Sequence, residues 1–261
     1  TVRIPDAVTK IGDSCFNGCS NLSSVNLPLK LVTIECLAFG NCMSLYSINI
    51  PKSLKEAKTF NGFGGEVAAF SGCKNLSRIE FEPGITEIPD KVFAYCTGIK
   101  TLNIPNSVKS IGNESFKFCT GLTELNIPES VITIGRSSFL GCTELSKVVF
   151  PDAVTDIGNS AFQNCQNISN ITFSYNLTTI GDCAFNNTNI SSVEMFDHVK
   201  SVGAGAFMDC KNLSSVRLSK ALETIGAFAF GYCEKLIGIE IPKSLTKTTE
   251  AYFPSHMYDY Q

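Results

Sequence analysis

The chain has 261 residues, with 21 Lys plus Arg against 24 Asp plus Glu for a net charge of −3, and it carries 12 Cys, 2 His and no Trp. So small a net charge provides no global basic field to gather nucleic acid or anionic lipid, and no apolar run approaches the roughly 18 residues that would span a bilayer as a helix.

The first element is a strand that ends at Pro5, followed by an apolar pair, Val8 and Ile11, then Gly12, then a turn carrying Phe16 and Cys19. Leu22 opens the next strand, in which Val25 and Leu27 face one way and Ser24 and Asn26 the other, the period-two pattern of a half-buried strand. Pro28 closes it, where a missing backbone donor is tolerated because the ladder ends. The unit then recurs. Phe falls at 16, 39, 70, 93, 116, 139, 162, 185, 207, 230 and 253, with gaps of 23 except for one of 31 and one of 22. A fixed period of this length marks a stacked repeat architecture rather than one globular core.

Within each unit a Cys stands three residues after the Phe in nine copies, and a small residue precedes the ring, as at Ala38, Ser115 and Ala161. Gly follows the apolar pair in seven copies (Gly12, Gly112, Gly135, Gly158, Gly181, Gly203 and Gly226), and the expected reason is a tight turn or a positive φ. Each repeat therefore reads as strand, turn, second extended piece, Gly turn and one helical turn bearing the Phe and Cys. In-register cysteines on neighbouring rungs lie about 4.8 Å apart with parallel side chains, a poor geometry for disulfides, so a ladder of free buried thiols is expected. Cys15, Cys36 and Cys183 fall in other slots.

Four features beyond the shared repeat follow in chain order. An insertion at 58–65 carries Phe60 and Phe63 among three glycines, an expected loop whose rings either fold back over the neighbouring rungs, the favoured reading, or stand out as an exposed anchor. The outward strand positions are polar, and the charged set Arg78, Glu80, Glu124 and Lys147 is the candidate binding patch on them. In the repeat after Phe185 the Pro slot is lost, and His198 reads as surface. At the end Phe253 holds the Phe slot while His256 replaces the Cys, expected as a polar residue near solvent. Nine Asn-x-Ser/Thr sequons occur, five of them in the turn before the strand, where Asn suits the turn for its own sake.

The stretch Val108-Lys109-Ser110-Ile111-Gly112-Asn113-Glu114-Ser115-Phe116-Lys117-Phe118-Cys119-Thr120-Gly121-Leu122, and again Val154 to Ile171, resembles the consensus of BspA-like leucine-rich repeats. The resemblance covers essentially the whole chain. It implies a right-handed leucine-rich-repeat solenoid, mainly parallel β with short helical turns and about ten rungs, whose parallel sheet lines a concave face. It also implies a cell-surface or secreted protein of the kind linked to adhesion, with host extracellular matrix among the candidate partners.

The expected organisation is a single leucine-rich-repeat domain over 1–261, cut from a longer protein, because Thr1 to Pro5 already fill the end of a repeat. No catalytic, cofactor or metal residue set is found: the two His lie in separate repeats and the cysteines form a line rather than converging. The functional expectation is a non-enzymatic extracellular binding or adhesion module for a protein or glycan ligand, with no nucleic-acid partner. Its rival is an intracellular protein-interaction scaffold, since a free-thiol ladder suits reducing cytosol.

Overall fold

A computed structural model describes residues 2–62 and 65–249; Phe63, Phe253 and His256 lie outside the described residues. The chain winds into a parallel β-solenoid of about eleven turns. The strand Val2–Arg3 already pairs as a rung ahead of the first Phe turn, with Val2 opposite Val25.

Two ladders of short strands run along the stack. The broader one begins Val2–Arg3, Ser24–Asn26, Ser47–Ile50, Arg78–Phe81, each strand parallel to the next. It continues as the separate pairs Thr101–Asn103 with Glu124–Asn126, Lys147–Val149 with Asn170–Thr172, and Ser192–Glu194 with Ser215–Arg217. The narrower ladder uses two residues per turn and runs unbroken through eight strands from Glu87–Ile88 to Lys247–Thr248.

A third ladder replaces the expected helical turn, and no helix occurs among the described residues. The cause is local backbone geometry. Residues two before and two after the Phe are left-handed, as at Glu114 (φ 54) and Phe118 (φ 55), so helical φ/ψ cannot propagate through the segment. Their N–H groups point up the stack instead. Glu114, Phe116 and Phe118 donate to the carbonyls of Arg136, Ser138 and Leu140 at 2.8, 2.8 and 2.7 Å, and this satisfies donors that a helix would have used internally.

The core is a column. Phe39 to Phe207 are fully buried in register, with ring centroids mostly 5.1 to 5.5 Å apart and near-parallel planes. Phe70 and Phe93 are the looser step, at 6.4 Å and 31°. Phe150 and Phe173, at the close of their strands, meet the column edge-on, an arrangement the ring quadrupole favours.

The repeated Gly has a different reason from the expected one. None of Gly112, Gly135, Gly158, Gly181, Gly203 or Gly226 has a positive φ. A Cβ there would meet the backbone of the preceding turn: at Gly158 it would sit 2.7 Å from Arg136 N and 2.8 Å from Gly135 C. Close approach between rungs, not conformational freedom, requires glycine. Gly12, in the first such turn, has open space around it.

The extra residues between Phe39 and Phe70 form an antiparallel hairpin, Thr59–Gly62 with Gly65–Ala68, in which Phe60 faces Val67 and Gly62 faces Gly65. It is the only antiparallel pair among the described residues.

Candidate functional site

The broad strand ladder is interrupted between its pairs, and two of its interruptions are hollows. No backbone hydrogen bond joins Glu124–Asn126 to Lys147–Val149 among the described residues, and a hollow of about 510 Å³ lies at that seam. Glu124, Glu129 and Lys147 supply its charge, and Ile127, Val149 and Pro151 its apolar lining. A second hollow of about 280 Å³ follows Arg78–Phe81, between Tyr46 and Asn103. Glu124 and Lys147 thus share one hollow. Arg78 and Glu80 are not brought to it. They pair with each other across one strand face, Nη2 to Oε1 2.7 Å, both more than half exposed.

Phe60 is 62% exposed on the hairpin, and the hairpin itself is held down by polar contacts. Glu66 Oε2 accepts from Tyr95 Oη at 2.8 Å and from Lys117 Nζ. Lys91 Nζ donates to Thr59 Oγ1 at 3.3 Å. Beneath, the buried Glu114 receives Lys117 at 3.3 Å and Arg136 at 2.9 Å, with Lys91 at 4.0 Å. Lys117 also lies 6.0 Å from the ring centroids of both Tyr95 and Phe118, which stack on each other at 5.3 Å. Burial pushes the Glu66 carboxyl up, but the Lys117 and Tyr95 hydrogen bonds and the Lys117 charge outweigh it and hold it below its ordinary value.

A third exposed cluster joins Tyr175, Phe196 and His198. Tyr175 lies 5.5 Å from Phe196 and 4.7 Å from His198, whose Nδ1 is 3.0 Å from the Tyr175 carbonyl. Phe196 is exposed because the 22-residue repeat seats Met195 in the core instead. Outward strand positions alone do not reveal this cluster, which sits one turn further along.

All twelve cysteines are free; Cys15 and Cys19 are exposed and the other ten buried. Each buried ladder thiol donates to the Phe carbonyl of the preceding turn, as Cys119 to Phe93 at 3.1 Å and Cys142 to Phe116 at 3.3 Å. The thiols are therefore hydrogen-bond donors as well as small hydrophobes. Burial raises Cys73 and Cys233 to about 12 and Cys183 to about 11, away from nucleophilic thiolate. Among the described residues no three His, Cys, Asp or Glu side chains gather as a metal site. Of the sequon residues, Asn186 is buried, its amide donating to Met208 O at 3.0 Å and accepting from Gln163 at 3.1 Å.

The sequence profile of the BspA type leucine-rich repeat region matches residues 1–62, 66–169 and 132–258. The chain belongs to the BspA-type leucine-rich repeat family. Among solved structures, this BspA-type array is similar to a leucine-rich repeat protein from Bacteroides ovatus, at 25% identity over 95% of this chain and 82% of that one, with a TM-score of 0.59. It shares its fold with another from Eubacterium ventriosum, at 23% identity over 97% and 84%, TM-score 0.61. No curated protein matches it. The leucine-rich-repeat fold points to a protein-interaction module, and the family and fold are generally non-enzymatic. No helix among the described residues is long and apolar enough to cross a membrane.

Proposed function

We propose that this chain is a non-enzymatic cell-surface or secreted module that binds a protein or glycan partner at the seam hollow beside Glu124 and Lys147. The observation that carries the reading is the break in the broad ladder there, which sets a carboxylate and an ammonium over an apolar floor in a concavity of about 510 Å³, within the usual size of ligand sites. Host extracellular matrix is the partner class suggested by the family resemblance. Arg78 and Glu80, already paired with each other, serve as a flanking contact, and Phe60 on the hairpin as an accessory one.

The test is a binding screen against matrix proteins, bacterial-surface ligands and a glycan array, followed by variants. E124K and K147E are expected to abolish binding of any hit while replacement of the hairpin weakens it only slightly. The reverse pattern would move the site to the hairpin.

A second reading, an intracellular interaction scaffold, is favoured by the twelve free cysteines, which suit a reducing compartment. Protease shaving of intact source cells together with assay of the culture medium separates the two, because only an exported protein is cleaved on the cells or recovered outside them.

A further inference from the structure

We propose that Lys91, Tyr95, Lys117 and Phe118, backed by Arg136, form a recognition site for an acidic residue presented on an extended strand, and that Glu66 of the hairpin is its built-in occupant. The repeat supplies its own baseline for this. At the position just after the Phe, every described repeat except one has an uncharged residue, and the exception is Lys117. Two positions before the Phe, the only charged residues in the described repeats are Lys91 and Glu114. These departures fall in the two consecutive repeats that the hairpin crosses. Stacking does not need them, since the turns on either side stack without them.

The charges also match an acidic ligand. Apart from Glu66 the cradle has three cations, Lys91, Lys117 and Arg136, against one carboxylate, Glu114. The Lys117 side chain is 6% exposed and flanked by two rings, so its ammonium has shed most of its water and favours a carboxylate partner strongly. The ligand class is visible in the occupant: a carboxylate on the strand Gly65–Ala68, taking one hydrogen bond from a phenol and one from an ammonium. An acidic strand from a partner makes the same bonds once the hairpin has lifted, so its apparent affinity is reduced by the fraction of molecules in the open form. This site is separate from the seam hollow, and its failure leaves the reading of Glu124 and Lys147 untouched.

The experiment titrates the labelled peptide acetyl-Gly-Glu-Val-Ala-amide, a copy of the occupying strand, into the whole chain. Glu66→Ala is expected to bind it at least about tenfold more tightly than the unmodified chain. Changing the peptide Glu to Gln, or adding Lys117→Met to the Glu66→Ala chain, should lose about the same factor. The proposal is overturned if Glu66→Ala keeps the melting curve of the array yet shows no saturable binding at millimolar peptide, or binds the Glu and Gln peptides equally. Should Glu66→Ala not fold, Glu66→Gln keeps the side-chain volume. Its hairpin amides should exchange with solvent faster while those of the solenoid do not, and unchanged hairpin exchange overturns Glu66 as the tether.

Discussion

Lys117 and Glu66 stand 51 positions apart in the sequence and meet as an ion pair whose side chains are only 6% and 18% exposed. The pair fastens an inserted hairpin across two turns of an otherwise periodic stack. Removing one member of such a pair leaves the other charge poorly compensated, which makes the contact sensitive to protonation.

Acid should therefore release the hairpin before it unfolds the array. The folded Glu66 carboxyl is held below its ordinary 4.5, so its contribution is present above that pH and is lost as pH falls through the lowered folded value. Protection factors of the hairpin amides, each corrected for the intrinsic exchange rate at its pH, should fall at the acid end of a series from pH 7 to pH 3. In Glu66→Gln the step should be missing.

The Phe column should weaken most when broken in the middle. Phe116 is fully buried and stacked at 5.4 Å on both Phe93 and Phe139. Phe116→Ala is expected to cost about 3 to 5 kcal/mol, because ladders on three sides prevent the site from collapsing. Phe16 is only half-buried with one stacked neighbour, and Phe16→Ala should cost clearly less. Equal shifts in denaturant midpoint would show that the column is not a continuous core.

Glycine contacts offer a test at fixed chemistry. Gly158→Ala places a methyl 2.7 Å from the Arg136 amide nitrogen and should cost about 1 to 3 kcal/mol through forced separation of two turns. Gly12→Ala meets nothing within 4 Å and should be neutral or slightly stabilising. Thermal melts of the two variants decide the matter.

Thiol chemistry should follow burial. Native protein treated with a thiol reagent should react at Cys15 and Cys19, and the remaining ten should appear only in denaturant. The same burial predicts alkaline instability. Cys73 and Cys233 keep their protons to about 12 when folded, against 9.0 when unfolded, so their contribution is whole below pH 9 and is lost as pH rises toward 12. Unfolding midpoints between pH 8 and 11 should fall, and the fall should shrink in Cys73→Ala.

The sequence by itself determined the architecture: a 23-residue clock of Phe, Cys and strand-closing Pro admits one turn per repeat, because only stacking buries the same slot in every copy. It also marked where the array departs from its period, at the insertion and at the 22-residue repeat. Tertiary structure alone decided what those marks mean. The Gly slot looked like a turn requirement, but its cause is the distance to the neighbouring turn, which no local pattern records. Left-handed residues such as Glu114 and Phe118 turned an expected helical segment into a third ladder, a choice made by hydrogen bonds to residues 22 positions away. Of the candidate binding residues, Glu124 and Lys147 share a hollow while Arg78 and Glu80 pair off, and the Glu66 cradle gave no sequence signal strong enough to join its members. Periodicity reports what every repeat must do to stack; side chains that break it acquire partners only when the turns are set beside one another.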